Sequence, residues 1–153
     1  MAETIFERWT MGQYYRIVNL TKKEFLSPHS LGDGAKLMEF GCSGSGMMTA
    51  LAVLLANSND RGGGDLHNVP EDFPIQAGHW AGDKIVVAGD YAEEDDPGEL
   101  KGKNLYTKCS DGKLKDISLD ALRLICCDGA IAEGYKKSKH FEALRPDMIF
   151  QRG

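Results

Sequence analysis

The chain has 153 residues and a net charge of -5, and its hydrophobic and charged fractions of 42% and 27% are those of ordinary globular proteins. This length suits one domain with a core of its own, and no apolar run approaches the roughly 20 residues that cross a bilayer. Residues 61–100 carry two basic and ten acidic side chains, so the middle of the chain repels phosphate. We therefore expect neither a membrane nor a nucleic-acid partner.

The cysteines and the first residues predict a reducing compartment. No pair among Cys42, Cys109, Cys126 and Cys127 has the two-residue gap of a zinc or redox motif. Residues 1–10 contain acidic side chains and lack an apolar segment of signal-peptide length. We expect a cytoplasmic location with free thiols.

The beginning of the chain predicts a hairpin and then a third strand. After an appendage at residues 1–12, residues 14–20 are rich in aromatic and β-branched side chains, which favour strands. A polar turn separates them from residues 24–26, which is typical of a hairpin. Residues 27–34 collect Ser, Pro, Gly and Asp and predict a loop. Alternating side chains at residues 35–40 predict another strand.

The middle of the chain predicts a buried helix, a long loop and a buried strand. Residues 46–57 are apolar nearly all round, so we expect a helix at the centre of the core, with Ser45 as its N-cap. Residues 58–78 have four glycines, two prolines and no period, which indicates a long glycine-rich loop. Residues 83–91 contain a continuous apolar run and predict a strand covered on both faces.

The second half completes an α+β pattern. Residues 104–109 predict a further strand. Apolar side chains at helical spacing predict an amphipathic helix over residues 118–128, capped by Ser118 and ended by Gly129. We expect a single globular domain over residues 1–153, with five or six short strands in a mixed or antiparallel sheet. A buried central helix and a second packed helix complete the expected α+β fold.

A glycine-rich loop precedes the central helix and is the first candidate site. The stretch EFGCSGSG, residues 39–46, resembles the first motif of class I S-adenosylmethionine methyltransferases, with Ser43 at a position where that family has glycine. Successive backbone N–H groups at a helix N-terminus also bind anions without any family motif. The candidate ligand-binding residues for a small anionic or nucleotide-like ligand are Gly41, Ser43, Gly44, Ser45 and Gly46. The alternative is a tight turn before a buried helix.

The second candidate site consists of acidic, histidine and aromatic residues in glycine-rich segments around the strand at residues 83–91. Loops at strand ends commonly present functional groups, and His with carboxylates provides acid–base groups or metal ligands. No metal-binding motif is present, so no metal is predicted. The alternative is that the acidic residues cap turns and the histidines are solvated. The candidate ligand-binding residues are Asp65, His67, His79, Trp80, Asp90 and Tyr91, with Asp83 nearby.

Two longer stretches, NLTKKEFLSPH at residues 19–29 and HWAGDKIVVAGDY at residues 79–91, resemble a family of small bacterial and viral proteins with no assigned activity. The resemblance implies one self-contained domain, and it assigns no catalytic residue because the family has no known activity.

We expect a small soluble non-catalytic binding or regulatory protein that acts through residues 61–67 and 79–96 on a protein partner. One alternative is an enzyme or sensor that binds a nucleotide-like ligand at residues 41–46, with the Asp and His residues of the loops supplying acid–base groups. Another is a subunit of a larger assembly. The sequence indicates neither a cofactor nor an oligomeric state.

Overall fold

A computed structural model of the chain describes residues 12–42, 44, 46–91 and 104–137. The predicted appendage, apart from Gly12, lies outside the described residues, as do Ser43 and Ser45. The division into domains therefore stays a prediction.

The described residues form one mixed sheet of four strands. The strands are β1 (Tyr15–Asn19), β2 (Glu24–Leu26), β3 (Ile85–Gly89) and β4 (Lys115–Asp116). Their order is β3-β1-β2-β4, in which β1 is antiparallel to both of its neighbours and β4 is parallel to β2. The predicted hairpin is therefore confirmed. The mixed sheet of an α+β fold is confirmed too, although the described residues contain four strands rather than five or six.

Five α-helices and one 3-10 helix accompany the sheet in the described part of the chain. They are the 3-10 helix Pro28–Leu31 and the α-helices α1 (Leu37–Gly41), α2 (Met47–Leu55), α3 (Leu105–Ser110), α4 (Ser118–Ile125) and α5 (Gly129–Lys136). The main core joins one face of the sheet to α2, α4 and α5, while α3 packs with Val18 and Phe25 on the other face. Both predicted helices are thus present, as α2 and α4.

Two of the predicted strands are wrong, because residues 35–40 and 104–109 contribute to α1 and α3 instead. Alternation over five or six residues also fits a single helical turn, so the pattern alone does not separate the two structures. Hydrogen bonds at the N-termini of both segments favour the helix over the strand. Backbone N–H of Lys36 donates to Glu39 in α1, and the Asn104 side chain accepts from backbone N–H of Thr107 in α3.

The predicted ends of α4 also differ from the structure. Ile117 occupies the N-cap position, and Ser118 is the first helical residue, with its hydroxyl donating to Asp116. Gly129 does not end the helical region but begins α5, because the Asp128 side chain caps that new helix at the N–H of Ile131.

Burial of β3 and α2 is less complete than predicted. β3 lies at the edge of the sheet, where Val87 is 41% exposed, so its two faces are not both covered. In α2, Met47 and Leu54 are fully buried, whereas Met48 is 37% exposed and Ala52 faces solvent. Because the side chains of α2 are apolar on all sides, the sequence predicted a fully buried helix. The core of this small protein buries only part of it.

Candidate functional site

The connection from α2 to β3, residues 56–84, contains no helix or strand. We call it the 56–84 loop. Its far end returns to α2, since Gly78 and Trp80 donate their backbone N–H groups to the carbonyls of Val53 and Leu54 at 2.9 and 2.8 Å. Gly78 has a φ of +87°, a conformation that favours glycine. The predicted long loop is thus tied to the fold at both of its ends.

Side chains hold residues 59–67 of this loop in one conformation. The Asn59 amide donates to the carbonyl of Leu66 at 2.7 Å and accepts from its N–H at 2.9 Å. Leu66 is itself buried in the main core, so this pairing anchors the base of the segment. Nearer the tip, Asp65 accepts from the N–H of Arg61 at 2.8 Å.

His67 closes the same segment with both of its ring nitrogens. Nδ1 lies 2.5 Å from Oδ1 of Asp60, and Nε2 lies 2.8 Å from the carbonyl oxygen of Gly62. Both partners are acceptors, so both bonds form only when the ring carries two protons. The hydrogen bond to Asp60, and then that to Gly62, raises the pKa of His67 above its ordinary value of 6.5.

We expect the loop tip to loosen as the pH rises through the pKa of His67. Because that pKa is raised in the folded protein, the added order is complete below pH 6.5 and is lost above the folded pKa, when one ring N–H disappears. The measurement is an NMR titration of the His67 ring together with the amides of the Gly62–Gly64 tip. Asp60→Asn should lower the pKa of His67, and His29→Gln should leave it unchanged. A pKa at or below 6.5 in the wild type would contradict the geometry.

An open cleft of about 810 Å³ lies against this segment. It is lined by residues within 56–61, 66–71 and 76–81, all from the 56–84 loop. The lining is mainly polar, with amide side chains, one cation and two carboxylates: Asn57, Asn59, Asn68, Gln76, Arg61, Asp60 and Glu71. Such a set both donates and accepts hydrogen bonds, which suits a polar ligand of mixed character.

His79 and Trp80 are held by a buried carboxylate of β2. Nε2 of His79 lies 3.0 Å from Oε1 of Glu24, and Nε1 of Trp80 donates to the same oxygen at 2.9 Å. Trp80 is fully buried in the main core, so its ring has no free face for stacking on a ligand. These two predicted site residues therefore fasten the 56–84 loop to the sheet.

The acidic residues that flank β3 lie at opposite ends of that strand. Asp83 accepts from Asn19 at 2.9 Å and pairs with Lys22 at 2.5 Å, and the hydrogen bond from Lys22 is the main cause that lowers its pKa. Asp90 accepts from the N–H of Tyr14 at 3.1 Å, and Tyr91 next to it is 38% exposed. Because the five residues of β3 span about 17 Å, the predicted acidic residues do not share one site.

The N-terminus of α2 already has a carboxylate partner. Oδ2 of Asp33 accepts from the N–H of Met47 at 2.7 Å, and Gly46 is buried against that same carboxylate. Gly41 ends α1 and, like Gly44, is exposed. An anion bound at this helix end would meet the negative charge of Asp33. The geometry therefore favours a capped turn here over an anion site.

Sequence reasoning missed Glu24, Asn59 and Asp60, which organise the candidate site. Asn59 and Asp60 stand one residue before the three glycines and His67 stands after them, and this pattern could have indicated a loop closed by its own side chains. Glu24 gave no such signal, since its partners lie 55 and 56 residues away.

Among residues 12–42, 44, 46–91 and 104–137, no three His, Cys, Asp or Glu residues form a group suited to a metal ion. In the same part of the chain, no helix has the length and apolar character to cross a membrane. Comparisons with protein-family models, curated proteins and solved structures found no match to this chain. The family resemblance inferred from the sequence accordingly stays a prediction.

Proposed function

We propose that this protein is a small non-catalytic binding protein whose binding site is the cleft of the 56–84 loop. The observation that carries the proposal is the cleft itself, about 810 Å³ in volume, which falls in the usual size range of ligand sites. Both stretches singled out in the sequence contribute to it, through Arg61 and Leu66 on one side and Ala81 on the other.

The order of the cleft wall supports a binding role. Asn59 and His67 hold the wall through four hydrogen bonds, so a ligand does not have to order this segment when it binds. Among the titratable side chains beside the cleft, Asp60 and His67 are occupied with each other. Side chains with internal partners of this kind hold the loop in its conformation, which is consistent with binding rather than with acid–base chemistry.

The lining favours a polar peptide segment of a partner protein as the ligand. Amide side chains such as Asn57 and Gln76 match the alternating N–H and C=O groups of a peptide backbone. Arg61 and Glu71 add one charge of each sign, which suits a segment of mixed rather than uniform charge.

We expect Ala77→Trp to abolish ligand binding, because the large ring would fill the cleft that Ala77 lines. The measurement is a thermal-shift panel containing ATP, S-adenosylmethionine and tetrapeptides of mixed charge, since a ligand that binds the native state raises its stability. A tetrapeptide should raise the melting temperature of the wild type and not that of Ala77→Trp. The matched control is Ala130→Trp, which places the same ring at an exposed position of α5.

Equal stabilisation of the wild type and Ala77→Trp by a tetrapeptide would contradict the proposal that the cleft is the binding site. So would a panel in which no tetrapeptide raises the melting temperature. Stabilisation by ATP or S-adenosylmethionine that survives Ala77→Trp but disappears in Gly44→Val would instead support the alternative site at residues 41–46.

A further inference from the structure

The ring of His67 links the two halves of segment 59–67 near its tip. Its Nδ1 lies 2.5 Å from the carboxylate of Asp60, and its Nε2 lies 2.8 Å from the carbonyl oxygen of Gly62. Asp60 lines the cleft from the first half of the segment, and Leu66 lines it from the second. The separation of the two halves, and with it the shape of the cleft wall, therefore depends in part on the bonds of His67.

Both bonds need a ring that carries two protons. The Asp60 carboxylate and the Gly62 carbonyl only accept hydrogen bonds, so each ring nitrogen has to donate one. If Nδ1 loses its proton, its lone pair faces the carboxylate of Asp60 at hydrogen-bond distance. If Nε2 loses its proton, its lone pair faces the carbonyl oxygen of Gly62 instead. A neutral ring of either tautomer therefore breaks one link, and the two halves of the segment are held less closely.

The charged groups around His67 favour the form with two protons. In the described part of the chain, the charges that act on its ring are the carboxylates of Asp60 and Asp65, both from the same segment. The hydrogen bond to Asp60 is the largest cause that raises the pKa of His67 above 6.5, and the hydrogen bond to Gly62 comes next. The closed segment therefore keeps the second proton at a pH at which an unstructured segment would release it.

We propose that the cleft binds its ligand together with a proton at His67, so that its affinity is higher in mildly acidic than in mildly alkaline solution. The inference rests on the proposed function of the cleft. A ligand that fits the closed wall favours the form in which both bonds of His67 are made, so ligand and proton strengthen each other's binding. Above the pKa of His67, the apparent affinity falls with the fraction of the protein in the closed form.

The charge of the cleft wall changes in the same direction. Protonated His67 offsets the carboxylate of Asp60. The remaining charges of the lining are Arg61 and Glu71, one of each sign, and this balance suits a segment of mixed charge. When His67 loses its second proton, the wall gains an uncompensated carboxylate and no longer has this balance. Loss of the proton thus weakens the match of charge as well as the closure of the wall.

The test is isothermal titration calorimetry of the full chain at pH 5.5 and pH 8.5, with acetylated and amidated tetrapeptides that contain one Lys and one Glu. Both side chains of these peptides keep their charges over this range. We expect the dissociation constant of the wild type to be about three- to fivefold higher at pH 8.5, a modest factor because exposed ion pairs contribute little. NMR of the His67 ring should show a higher pKa with the peptide than without it.

His67→Gln removes the titrating ring and should bind the peptide with the same affinity at both pH values. The matched control is His29→Gln, which replaces an exposed histidine outside the 56–84 loop and should keep the pH dependence of the wild type. Circular dichroism checks that each variant folds. If His67→Gln does not fold, Asp60→Asn takes its place, because it removes the carboxylate that binds Nδ1 and should reduce the pH dependence.

Equal dissociation constants of the wild type at the two pH values would reject the coupling to His67 and leave the cleft as the binding site. A pH dependence that persists in His67→Gln would also reject it, and would assign the titration to another group such as His79. If no tetrapeptide binds the wild type at either pH, the proposed function itself is wrong, and the coupling is rejected with it.

Discussion

Replacing Glu24 by Leu is expected to lower the free energy of unfolding by about 1–3 kcal/mol, the usual cost of leaving a buried donor without its acceptor. Oε1 of Glu24 accepts hydrogen bonds from Nε1 of Trp80 and from Nε2 of His79, at 2.9 and 3.0 Å. Trp80 is fully buried, so its indole N–H would lose its acceptor without gaining water. The measurement is urea denaturation followed by Trp fluorescence.

Two variants separate this effect from general damage. Glu24→Gln keeps an acceptor oxygen of similar reach and should cost about 1 kcal/mol, the usual net worth of one hydrogen bond. Glu133→Leu changes an exposed residue of α5 and should cost under about 0.5 kcal/mol. Equal losses in Glu24→Leu and Glu133→Leu would mean that the carboxylate does not hold the 56–84 loop to the sheet.

Gly46→Ala is expected to cost about 2–3 kcal/mol, although it adds one methyl group, because overpacking and the loss of a helix cap act together. A Cβ at Gly46 would overlap the Asp33 carboxylate, which accepts the N–H of Met47 at the start of α2. Either the cap breaks or the loop before α2 shifts. The free energy of unfolding from urea melts gives the effect directly.

Gly44→Ala provides the matched control, since a Cβ there would meet nothing within 4 Å. It should be nearly neutral. In an Asp33→Ala background, Gly46→Ala should lose most of its cost, because the carboxylate that it displaces is already absent. Additive losses of Gly46→Ala and Asp33→Ala would show that the two residues act independently.

The elements that the sequence predicted well are those whose pattern is long or whose turn is local. The hairpin of β1 and β2 follows from two apolar stretches around a polar turn, and α2 and α4 extend over eight or more residues. At α1 and α3, five and six residues are too few to separate a helical period from alternation. Burial of β3 was misjudged because its position at the sheet edge depends on strand order, which no local pattern contains.

The candidate site was predicted only where its residues lie close together in the sequence. His67 and Asp65 stand in the segment that forms the cleft wall, and the glycines around them pointed to a functional loop. The partner of His79 could not be predicted from the sequence, because Glu24 belongs to a strand 55 residues earlier. Asp33 likewise reaches Gly46 across α1, so the sequence showed the glycines of residues 41–46 but not the carboxylate beside them.

The pairing of β1 with β3 has a consequence for how the chain acquires its fold. Tyr15 of β1 pairs with Gly89 of β3. β1 therefore acquires its second neighbouring strand only after the chain has been synthesised as far as residue 89 and these distant segments have come together. Loop-closure entropy rises slowly with length, by about 0.6 kcal/mol for each doubling, so a longer connection costs little. The exposed tip Gly62–Gly64 is therefore a suitable place to insert a fluorescent or affinity peptide without disturbing strand pairing.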